Sequence, residues 1–86
     1  MDLSEWRKRI DALNLQLLEL LNERAKCAQA IAEIKKKKML PVLDGERERQ
    51  VLESVLTRNQ GPLPDESVRL IFECIMAEHR RLEESH

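Results

Sequence analysis

Three cations stand where a helix should present apolar residues. Stepping through residues 1–40 in alternating threes and fours gives Arg7, Ile10, Asn14, Leu17, Leu21, Arg24, Ala28, Ile31 and Lys35, a single helical seam. Most other charges of this segment fall off that line, as surface charges do. Arg7 and Lys35 lie near the seam's ends, where long side chains can snorkel to water. Arg24 lies mid-seam, where that escape is harder and a buried cation needs a partner or a task.

Two later groups repeat the pattern. Asp44, Arg47 and Glu48 cluster ahead of a helical line through Val51 and Val55, and Phe72, Met76, His79 and Glu83 form a line that ends in a potential acid. Plainer roles compete at each: Asp44 as a helix cap, Arg47 and Glu48 as a surface pair, His79 as a boundary residue, Phe72 and Met76 as core. Taken together, the pattern predicts three or four buried cations and a few acids, with neither a metal-ligand cluster nor a nucleophile. Fixed guanidinium and ammonium groups in a dry pocket suit a small ligand with more than one carboxylate. They also suit a cofactor-free reaction whose transition state redistributes charge.

The chain that must position these groups has 86 residues, which makes one small domain spanning 1–86. Its 15 Lys and Arg against 16 Asp and Glu give a net charge of -1, against a general nucleic-acid binder. There is no apolar run near the ~20 residues of a membrane span, and no signal-peptide pattern. Cys27 and Cys74 are too few for a disulfide framework, so a reducing cytoplasm is the expected location. With His79 and His86 as its only histidines, the chain is not expected to build a zinc site or a Ser-His-Asp triad.

All five helix breakers (Pro41, Gly45, Gly61, Pro62, Pro64) fall between positions 41 and 64, and the flanks are rich in helix formers. This predicts an all-α fold of three helices, 3–38, 45–59 and 65–84. Asp2 with Glu5 resembles a capping box, Asp44 can cap the second helix, and Asn59-Gln60-Gly61-Pro62 should end it. Pro64-Asp65-Glu66 suits the first turn of the third helix. The first helix would be roughly 50 Å long, against a diameter of about 30 Å for a compact monomer of this length. Its apolar stripe needs cover that two short helices cannot supply, so a partner chain is expected. Arg7 and Arg24 would lie about 25 Å apart along the axis, too far to grip one small molecule from the same chain. In an antiparallel dimer, Arg7 of one subunit could approach Arg24 of the other, giving two shared sites.

The order Arg7…Arg24…Lys35…Asp44-Gly-Glu-Arg47-Glu48-Arg49 resembles the all-helical chorismate mutases. Further matching segments are Arg-Lys-Arg-Ile-Asp-Ala-Leu at 7–13, Leu-Leu-Glu-Leu-Leu-Asn-Glu-Arg at 17–24 and Ile-Phe-Glu-Cys-Ile-Met at 71–76. The resemblance covers nearly the whole chain. It implies an intertwined all-α homodimer that converts chorismate to prephenate on the way to phenylalanine and tyrosine, as a separate chain or as the mutase domain of a bifunctional enzyme. It further implies that Arg24 binds the side-chain carboxylate of the substrate while Arg7 of the partner subunit holds the other carboxylate. Lys35 would contact a carboxylate and the ether oxygen, and Glu48 with the backbone near Asp44 would take the ring hydroxyl. Arg47 would support the pocket. Glu83 stands where Gln often donates to the ether oxygen, and His79 where a small residue such as Ser is common. Lys36, Lys37 and Lys38 are expected in solvent.

Isochorismate pyruvate lyases share this fold and a similar cationic pocket, but the full Arg-Lys-Asp-Arg-Glu set favours the mutase. A non-catalytic dimerisation or regulatory module would carry degraded seam cations, and here they are intact. A plain helical interaction protein would leave Arg24 on the seam unexplained.

Overall fold

The computed structural model describes residues 1–85; His86 lies outside the described residues. It holds three helices, α1 (Leu3–Lys38), α2 (Gly45–Arg58) and α3 (Asp65–Glu84). The second ends one residue before the expected boundary because Asn59 leaves the helical region and its side chain takes over the turn. Asn59 Nδ2 donates to the Leu63 carbonyl and to Asp65 Oδ1, each at 2.8 Å, and its Oδ1 accepts from the Gly61 N–H at 3.1 Å. Gly61 carries the left-handed φ of 76° that this bend requires.

Local chemistry explains the other boundaries. Asp2 Oδ1 accepts from the Glu5 N–H at 2.9 Å and starts α1, and Asp44 Oδ1 does the same for α2 through the Arg47 N–H at 3.0 Å. The last turn of α1 is all lysine, Lys35 to Lys38, which suits the negative end of the helix dipole. Met39 then turns left-handed at φ 56°, and the Met39 and Leu40 N–H groups close back on the Lys36 and Lys35 carbonyls. Pro41 follows within two residues, as it commonly does after such a stop.

α3 is the central element, packed against both α1 and α2. Its Val68 and Met76 and the Ala28 and Ala32 of α1 are the buried apolar residues. Two alanines on one face let the α1 and α3 backbones approach closely. Only the C-terminal part of α1 takes part in this packing. With 36 residues α1 accounts for the long dimension of a molecule measuring 54 × 24 × 15 Å, and every residue from 1 to 23 is exposed. Leu17 and Leu20 keep 57% and 60% of their surface in water, so the N-terminal stripe has no cover within the chain. No helix among the described residues is long and apolar enough to cross a membrane.

Candidate active site

Each helix contributes to the site through the same spacing. α1 presents Arg24, Ala28, Ile31 and Lys35; the start of α2 presents Asp44, Arg47, Glu48 and Val51; α3 presents Met76, His79, Arg80 and Glu83. Separations of three and four place such residues on one helical face. The three faces converge on one cavity of about 360 Å³, a size suited to a small organic ligand. Its lining combines apolar side chains with four cationic side chains and three carboxyls.

Of the eight residues singled out in the sequence, seven line this cavity: Arg24, Lys35, Asp44, Arg47, Glu48, His79 and Glu83. Arg7 does not. It lies on the exposed half of α1, on the seam but 17 residues before Arg24. Phe72 shares the α3 face of Met76 but does not line the cavity. Lys36, Lys37 and Lys38 are exposed, as expected for solvated side chains.

The expectation of buried cations needs correction. Among the described residues no charged side chain is buried: Arg24 and Lys35 are half-buried, and Arg7 and Arg47 are exposed. Three helices of one chain wall the cavity without sealing it, so the groups keep contact with water. Arg47 and Glu48 also do not pair with each other. Glu48 reaches across to α3, where Arg80 Nη1 donates to its Oε2. Arg80 was not among the residues picked out by sequence. Its spacing from Met76 and Glu83 was the available signal, and position 80 falls just off the line drawn through His79.

Two further contacts set the cation geometry. Lys35 Nζ donates to the Val42 carbonyl at 2.7 Å, tying the end of α1 to the segment that leads into α2. An ammonium has three protons, so two remain for a ligand. Arg24 Nη1 lies 2.6 Å from His79 Nδ1. Because guanidinium can only donate, Nδ1 must accept, and the imidazole proton sits on Nε2. Desolvation first, and the Arg24 charge second, hold the His79 pKa below its ordinary 6.5, with Glu83 opposing both. His79 is therefore neutral at pH 7 and orients the Arg24 guanidinium from one side. Protonation would remove the acceptor and set two cations face to face.

A stability consequence follows from that depressed pKa. Between the folded value and 6.5 the unfolded chain binds more protons, so stability should decline as pH falls through 6.5 and level off below the folded value. Melting temperatures across pH 4–8 check this (the window follows the histidine range). His79→Gln, which keeps an acceptor but cannot titrate, should lose that component of the slope. An unchanged slope in the variant would assign it to other groups.

The profile of the family described as chorismate mutase type II matches residues 6–84. The bifunctional chorismate mutase/prephenate dehydratase of Aquifex aeolicus is 42% identical over 80 residues, covering 88% of this chain and 22% of that protein. The chain thus spans about a fifth of the length of that bifunctional relative. The chorismate mutase of Methanocaldococcus jannaschii is 32% identical over 79 residues, covering 92% of this chain and 80% of that protein. Among solved structures, form II of chorismate mutase from Thermus thermophilus superposes with a TM-score of 0.93 at 36% identity, covering 94% of this chain and 92% of that one.

Proposed function

The chain belongs to the type II chorismate mutase family, and from that premise we propose that it converts chorismate to prephenate by a Claisen rearrangement, as a homodimer with two shared sites. The carrying observation is the convergence of Arg24, Lys35, Glu48 and Glu83, from three helices, on one cavity. The reaction is an isomerisation: the ether C–O bond breaks as a C–C bond forms, and nothing leaves. The protein's task is to hold the compact reactive conformer and to stabilise charge growing on the ether oxygen.

The roles divide by charge. Arg24, oriented by His79, takes the side-chain carboxylate, and Arg7 of the partner subunit takes the second carboxylate. Lys35 bridges a carboxylate and the ether oxygen. Glu48 and the backbone at Asp44 receive the ring hydroxyl, while Arg47 adds positive potential at the rim. The uncovered apolar stripe over residues 1–23 supports the dimer, since a second copy offers matching apolar surface. Free Cys27 and Cys74 fit a cytoplasmic setting.

Loss of chorismate absorbance on adding purified protein, with prephenate identified as product, tests the assignment. Release of pyruvate from isochorismate with no action on chorismate would replace the mutase by a lyase. Glu83 supplies a finer test. Only a protonated carboxyl can donate to the ether oxygen, whereas a carboxylate repels the charge growing there. Glu83→Gln offers a donor without a charge, so it should keep substantial activity near neutrality. Loss of activity in that variant would remove Glu83 from this role.

A further inference from the structure

Arg80 lies outside every role assigned above, yet it makes the cross-helix ion pair of the site. Its Nη1 donates to Glu48 Oε2 at 2.5 Å across a sequence separation of 32, joining α3 to α2 at the cavity wall. Ion pairs away from the site join neighbours on one helix, as Arg49 does with Glu46 and Glu53, Arg69 with Glu66 and Arg81 with Glu78. Their side chains are largely in water, whereas Arg80 and Glu48 keep only 28% and 29% of their side-chain surface exposed. The α2–α3 bend is already fixed by Asn59, so the pair is not needed to close that turn.

We propose that Arg80 is a positioning residue: it fixes the Glu48 carboxylate as a directed acceptor for the ring hydroxyl of the substrate. This rests on the mutase reading of the cavity and adds a determinant of which hydroxylated ring fits. A free carboxylate would repel a ligand that carries two carboxylates of its own. Paired with Arg80, Glu48 has its charge offset by a cation that also lines the cavity. Oε2 is engaged, and no described residue donates to Oε1, which leaves it for a ligand donor. The guanidinium anchors one oxygen of the carboxylate, a hold that a flexible ammonium reproduces only in part. The wall then recognises a hydroxyl at one place on the ring, and the same ring without it forfeits the contact.

The test compares chorismate with the analogue that lacks the ring hydroxyl, in the parent, Arg80→Met, Arg80→Lys and the surface control Arg81→Met. Because the hydroxyl contact exists in both ground and transition states, Arg80→Met should raise KM for chorismate on the order of 10-fold with little change in kcat. For the analogue, which keeps both carboxylates but has no hydroxyl to lose, Arg80→Met should raise KM clearly less than for chorismate, through the lost charge offset alone. Arg80→Lys should recover part of the loss, and Arg81→Met should match the parent. Adding Glu48→Gln to Arg80→Met should cost little more than the worse single change. If Arg80→Met does not fold, the same substrate comparison with Arg80→Lys decides. Equal losses on both substrates, or no loss on chorismate, would overturn the proposal. A parent inert toward chorismate would overturn the mutase reading itself, and the proposal with it.

Discussion

Lys35→Ala should lower kcat by about 100-fold or more, because in the proposed reaction it removes the cation aimed at the oxygen on which charge grows. The half-buried setting matters here. A charge held in a cavity whose lining includes the buried Ala28 and Met76 is less screened than one in bulk water, so it contributes more to the transition state. The Val42 carbonyl holds Nζ in place at 2.7 Å before substrate arrives, which reduces the reorganisation needed during the reaction. Lys37→Ala is the matched control, since Lys37 lies two residues on in the same lysine run but is exposed. Its kcat should stay within about twofold of the parent. Steady-state kinetics on both variants decide the matter. Comparable losses would mean that the lysine run acts through general positive potential and not through one placed ammonium.

The second large effect tests the shared site. Arg7→Ala and Arg24→Ala should each nearly abolish activity, because in the proposed homodimer each strips one carboxylate of its arginine in both sites. Mixed and refolded together, they should regain about a quarter of the parent's specific activity. Random pairing makes about half of the dimers mixed, and one site of each mixed dimer keeps both arginines. The separation along α1 makes this outcome informative: at about 25 Å, Arg7 and Arg24 of one chain cannot serve the same small ligand. Light scattering should also show about 20 kDa, twice the 10.1 kDa of the chain. A folded 10 kDa monomer at micromolar concentration, or confirmed mixed dimers without activity, would refute the shared arrangement.

Much of this was legible without coordinates. Helix positions follow from local signals, with Asp2 and Asp44 as caps and every breaker confined to 41–64, and those signals act over a few residues. The faces were legible for the same reason. A cation on an apolar seam is a local anomaly, and seven of the eight residues flagged through such patterns and the family resemblance line one cavity. The length of α1 against the size of the domain likewise pointed to its uncovered N-terminal half, and residues 1–23 are exposed.

Tertiary structure decided what spacing cannot encode, namely the rotation and pairing of faces that belong to different helices. Arg24 meets His79 over 55 residues of sequence and Glu48 meets Arg80 over 32. Both pairs exist because α3 lies between α1 and α2, with Val68 and Met76 fixing how it sits. Position 79 turns toward α1 and position 80 toward α2, since neighbours on a helix differ by about 100° in direction. The same packing set the burial of the cations. Periodicity predicts that a residue faces inward but not how deep the interior is, and three helices of one chain leave Arg24 and Lys35 half in water.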